Sequence, residues 1–300
     1  MIPVALALGS SLAWGLADFL GGLKSRSLAL PTVLLLSQAV GLVITVAVVA
    51  LAGEAPAASA TLGWAALSGI LDLAGLWALY RGLSRESMSV VAPLAATAAL
   101  VPTVYGIAIG ERPAALALSG IALAVVGVAL AGRSESADDG GPLARGVGLA
   151  LLAALCFGLG FIALDTASEG GVTWTLLANR LGSVLVLGLV WGLDAWAGDF
   201  EVDGDDGLHV SRVAVKASLP GGRLGDYAAV LGIGVLDLAA VGLFAVASTQ
   251  GLVSVVSTLG SLYPVATVVL ARLLLKERLT RGQLAGVTVA MAGVVAISAA

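Results

Sequence analysis

The chain has 300 residues, 59% of them hydrophobic and 11% charged, with a mean hydropathy of +1.05 and a formal net charge of −4. A soluble domain carries about 25% charged residues, and the apolar residues here run in continuous blocks, unlike the short alternating segments of a membrane barrel. Composition therefore excludes a soluble globular domain and a basic nucleic-acid binder, and it leaves an all-α integral membrane protein.

About 20 apolar residues cross a bilayer as one helix. On that measure the sequence predicts ten transmembrane helices, at 2–22, 31–52, 62–82, 87–109, 114–131, 145–164, 173–196, 226–248, 252–274 and 282–299. The opening "MIPVALALGSSLAWG" lacks the basic stretch of a signal peptide and is read as the start of the first helix. Most connections are short and carry Gly, Pro or charge. Two are longer. Residues 132–144, "GRSESADDGGPLA", read as a linker between two halves. Residues 197–225 form a polar loop, acidic first (Asp199, Glu201, Asp203, Asp205, Asp206) and then basic (Arg212, Lys216, Arg223). Its "DGDDG" is no calcium loop, because Ala214 stands at the twelfth position, where the motif needs Glu.

Catalytic and cofactor motifs are missing. Cys156 and His209 are each the sole residue of their kind, which rules out an intrachain disulfide and leaves no metal-ligand pair. No phosphate loop, nucleophile elbow or zinc spacing occurs. Neither an enzyme nor a cofactor is expected.

An internal repeat organises the chain. Shifted by 165 positions, Gly69, Leu71, Asp72, Leu73 and Ala74 fall on Gly234, Leu236, Asp237, Leu238 and Ala239. Trp14-Gly15 fall on Phe157-Gly158 at a shift of 143, and Glu111-Arg112 on Glu277-Arg278 at 166. Residues 1–131 and 145–300 thus form two repeats of five helices each. Five is odd, so the second repeat enters the membrane inverted, as in many secondary transporters, with a site expected between the halves near mid-membrane.

On these residues the chain resembles the drug/metabolite transporter superfamily, specifically its ten-helix type built from two EamA domains. "WGLADFLGG" in the first helix, "GERP" after the fourth and "KERLTRGQLAGVTVAMAGV" leading into the tenth carry the likeness. The resemblance implies a basket of helices around a central cavity, lined by the first four helices of each half. It also implies secondary active transport of a small-molecule substrate without ATP or prosthetic group. The expected setting is the cell membrane, multi-pass, with the lipid bilayer as partner. Glycine stripes at Gly120/Gly127 and Gly286/Gly293 let helices approach closely, inside the basket or between the protomers of a homodimer.

Several residues are candidates for substrate binding or coupling. Asp72 and Asp237 sit mid-span, where a charge costs a few kcal/mol even on the forgiving insertion scales. They read either as proton sites or as structural carboxyls copied by the duplication. Asp18 was not copied, since Phe161 holds the matching place; it reads as a cation or proton site, or as a residue near a helix end. Arg180, the counterpart of Gln38, needs an anion nearby because it does not deprotonate. Trp14, Trp77, Tyr80 and Tyr263 are candidate cavity aromatics. Ser257 and Tyr263 precede Pro264, and Thr97 lies between Pro93 and Pro102; polar groups at such breaks mark sites in transporters, although Pro also makes simple kinks. Glu111-Arg112-Pro113 and Glu277-Arg278 read as turns that cap the helices following them.

Lys and Arg concentrate in loops 1–2, 3–4, 5–6, 7–8 and 9–10, which the positive-inside rule makes cytoplasmic, with both termini outside. The resemblance implies the opposite, termini inside. The functional expectation is an exporter of small metabolites such as amino acids, working by alternating access. An uptake permease for sugars and a non-transporting scaffold or receptor are the alternatives.

Overall fold

The computed structural model describes residues 1–85, 88–131, 142–197, 224–275 and 281–298. Most of the 132–144 linker, nearly all of the 197–225 loop and the Glu277-Arg278 turn lie outside the described residues. Within them every regular element is helical: α1 (Ile2–Lys24), α2 (Leu30–Ala52), α3 (Ser59–Arg85), α4 (Met88–Ala95), a 3₁₀ turn (Ala96–Ala99), α5 (Leu100–Ala108), α6 (Ala115–Ala131), α7 (Pro142–Ser168), α8 (Val172–Ala197), α9 (Leu224–Ser248), α10 (Val253–Gly260), α11 (Tyr263–Leu275) and α12 (Arg281–Ser298).

Among the described residues seven stretches are long and apolar enough to cross a membrane, one of them Val253–Ala271, which runs through the α10–α11 break. Thr97–Ala108 and Ala115–Gly127 are shorter apolar helices. This is a multi-pass membrane protein. Its outside is greasy, with Val43 69% and Leu185 67% exposed. Such residues face lipid, which supplies the apolar contact that water cannot.

Local sequence explains the helix ends. Pro3 and Pro31 sit in first turns, where the missing N–H has no intrahelical partner to lose. α2 stops at Gly53, whose φ of 62° is left-handed. The expected fourth and ninth spans are broken rather than continuous. Pro102 leaves the Ala98 carbonyl without its donor four residues on, and Ala96–Ala99 tightens into 3₁₀ geometry. Pro264 does the same to Gly260; the chain turns at Ser261–Leu262 with short Leu262→Leu259 and Val265→Leu262 bonds of 3.2 and 2.9 Å.

The packing is two-fold. The most extensive contacts join α6 to α12, α3 to α7 and α1 to α9. The last two exchange when the repeats are swapped, and α3·α8 exchanges with α2·α9. Two glycines make the latter contacts close. A Cβ on Gly69 of α3 would collide with the Asn179 carbonyl of α8, and one on Gly234 of α9 with the Ser37 carbonyl of α2. The two glycines correspond in the repeat, and so do Ser37 and Asn179. The halves of the broken spans meet crosswise, α5 on α10 and α4 on α11.

Candidate functional site

The second broken span reaches the middle of the bundle through Tyr263, where α1, α3, α7 and α9 also converge. A small cavity opens there. Trp14, Asp18, Asp72, Leu76, Phe157, Phe161, Asp237 and Tyr263 line it. Three carboxylates from three helices thus share one small space.

Asp237 is the most heavily partnered. Arg180 donates through Nη1 to its Oδ2 at 2.6 Å, Gln38 through Nε2 to the same atom at 3.4 Å, and Trp14 through Nε1 to Oδ1 at 3.1 Å. Arg180 Nη1 also donates to Gln38 Oε1 at 2.6 Å. Both partners of the ion pair are buried, Arg180 at 2% and Asp237 at 7% side-chain exposure. Charge-assisted hydrogen bonds to neutral side chains are what make such a pair tolerable away from water. Even so, Arg180 Nε and Nη2 are buried with no partner, and the side chain lies across Gly41 of α2.

Asp72 occupies the equivalent place in the other half, with lighter support. Asn179 donates through Nδ2 to its Oδ2 at 3.2 Å and to Ser68 Oγ at 2.8 Å. No cation contacts it among the described residues. Asn179 and Arg180 are consecutive on α8, about 100° apart around the helix, so one helix serves both acids.

Asp18 is buried in α1, with the Tyr80 hydroxyl in hydrogen-bonding reach of its carboxyl. Gly21, one turn on, makes room for the Tyr80 ring, since a Cβ there would overlap it. At the corresponding place of the second half Phe161 stacks on Phe244, with centroids 4.7 Å apart at 15°. Trp14 leans on both rings at 5.5 and 5.8 Å, and Phe157 meets Tyr263 edge-on at 6.3 Å. The cavity lining therefore combines three acidic side chains with four aromatic ones.

Of the residues singled out in the sequence, Trp14, Asp18, Asp72, Asp237 and Tyr263 line the cavity. Gln38, Tyr80 and Arg180 stand one layer behind, on the acids. Trp77 lies outside the lining, with the Arg81 guanidinium 5.4 Å over its ring. Leu76, its neighbour, takes the inward place. Thr97 donates to the Leu94 carbonyl at 2.7 Å within its own broken span. Ser257 is fully buried, and its hydroxyl has no partner. Phe157, Phe161, Asn179 and Ser68 were not singled out. The repeat itself carried the signal for the first two, which stand opposite Trp14 and Asp18.

A helical bundle with membrane-spanning segments around a small central cavity defines a polytopic membrane protein. The sequence model of the EamA-like transporter family matches residues 1–133 and 144–299, so the chain belongs to that family, a domain of the drug/metabolite transporter superfamily. No curated protein matches the chain. A solved structure titled "Crystal structure of protein" aligns over 98% of this chain and 95% of its own, with a TM-score of 0.69 and 16% identity, a likeness of fold alone.

Proposed function

We propose that the protein is a secondary active transporter that exports a small metabolite bearing an amino group, such as an amino acid, by alternating access. Its two five-helix repeats are inverted with respect to each other and rock about the central cavity. One observation carries this reading. Asp18, Asp72 and Asp237 face one cavity, and among the described residues Arg180, on Asp237, is the one cation paired with any of them. Three carboxyls against one guanidinium favour a cation, either an ammonium group of the substrate or a coupling proton. The aromatic side chains suit the apolar part of the same molecule. The unspent donors of Arg180 suit a carboxylate.

Asp237 is assigned to holding Arg180, and Asp18 and Asp72 to the cation. The test is flux into proteoliposomes across a panel of amino acids, amines, sugars and amphipathic drugs, with and without a pH gradient. Flux of amino-bearing solutes that Asp18→Asn and Asp72→Asn abolish supports the reading. Flux of sugars only, or none of any class, refutes it.

A further inference from the structure

Glu111 stands just beyond the end of α5, and its carboxylate leaves its own half of the chain. It accepts the Val253 N–H at 2.7 Å and the Ser254 N–H at 3.1 Å, both from the first turn of α10. Those amides have no intrahelical partner, and the helix dipole favours an anion there. The reach is built locally. Gly110 ends α5 at φ 100°, with Gly110→Ile107 and Glu111→Gly106 backbone bonds of 3.1 and 2.9 Å. That six-to-one closure swings Glu111 off the helix. Gly106 leaves the space, since a Cβ on it would collide with the Glu111 carboxylate.

Below this contact the α5–α10 seam is lined with hydroxyls. Thr103 Oγ1 and Thr258 Oγ1 meet at 3.3 Å. Ser254, Ser257 and Ser261 recur at helical spacing on the same side as Thr258, are buried, and have hydroxyls with no partner among the described residues. Buried hydroxyls without partners are uncommon in a permanent interface, because each forfeits its hydrogen bonds to water. A seam that opens to water recovers them. The seam runs from Glu111 at one end of the bundle toward Tyr263, which lines the cavity.

We propose that the α5–α10 seam is the gate at this end of the transport path, and that Glu111 is the positioning residue that latches it shut. On opening, Glu111 releases the α10 amides and the serine hydroxyls become the wetted wall of the route to the cavity. The inference rests on the transporter reading and adds the route and its latch.

The test places one cysteine at Ser257→Cys in a Cys156→Ala background, in nanodiscs that leave both faces open to a charged thiol reagent. Glu111→Ala is expected to raise the labelling rate roughly tenfold, the effect of losing a cap of ordinary strength. Gly106→Ala displaces the latch while keeping Glu111, and is expected to raise the rate too. Lys24→Ala, at the opposite end, leaves it unchanged. Unaltered labelling in both Glu111→Ala and Gly106→Ala overturns the proposal, as does an equal rise in Lys24→Ala. Labelling needs no substrate, so a latch-dependent rate in a protein without flux counts against transport alone. Flux with latch-independent labelling counts against the gate alone.

Discussion

Removing one member of the Arg180–Asp237 pair is the sharpest test of how the cavity is held together. With side-chain exposures of 2% and 7%, neither group has water to fall back on. Breaking such a pair costs about 3–5 kcal/mol, because a buried charge is left uncompensated. In Arg180→Met, Asp237 keeps two neutral donors, Trp14 Nε1 and Gln38 Nε2. The lower figure therefore applies, about 3 kcal/mol. In Asp237→Asn the guanidinium, whose Nε and Nη2 already lack partners among the described residues, loses its charged partner, and the loss lies toward the upper figure. A chain of this size loses roughly 2 °C of melting temperature per kcal/mol, which gives a fall of about 6 °C for Arg180→Met and up to about 10 °C for Asp237→Asn. The double variant Arg180→Met/Asp237→Asn removes both charges and is expected to regain most of that, since the two sites share one interaction. Thermal unfolding of the detergent-solubilised protein, followed by size-exclusion chromatography, reads all three. Single variants as stable as the parent, or a double variant whose loss equals the sum of the singles, would refute the reasoning.

Further outcomes are expected from the same geometry. Gly69→Ala and Gly234→Ala each drive a Cβ into a backbone carbonyl of the facing helix; a loss of about 1–3 kcal/mol or more follows, and Gly188→Ala, with open space around it, is the tolerated control in the same melting assay. Trp14→Phe keeps the ring contacts with Phe161 and Phe244 but deletes the donor to Asp237, so stability falls by about 1–3 kcal/mol. Lys24→Ala breaks a 2.7 Å pair with Asp226 whose side chains are 20% and 25% exposed; the loss is under about 1 kcal/mol and shrinks with added salt.

The architecture was legible where it rests on repetition. The doubled Asp72 and Asp237 segments, 165 positions apart, brought both acids to notice, and a second shift of 143 set Phe161 opposite Asp18. Long apolar runs gave ten expected spans, and seven stretches among the described residues are long and apolar enough to cross a membrane; Pro102 and Pro264 stand where two helices break. What stayed hidden depends on contacts between distant segments. Trp77 and Leu76 differ by one position, and hydrophobicity gives no reason to prefer the smaller residue facing inward. The partner of Asp72 is Asn179, an ordinary-looking residue beside the conspicuous Arg180. Glu111 was expected to cap the helix after it and instead caps α10 of the other half. Its sequence neighbourhood announces a helix end and is silent on where the freed carboxylate goes.

The two glycine contacts have a mechanical consequence. Gly69 against Asn179 and Gly234 against Ser37 put peptide backbone on peptide backbone, with no flexible side chain between to absorb strain. A tilt of α9 is therefore handed to α2 undiminished, and a tilt of α3 to α8. The bundle holds two closely seated helix pairs of matching design, and each carries one of the cavity's acids, Asp72 on α3 and Asp237 on α9.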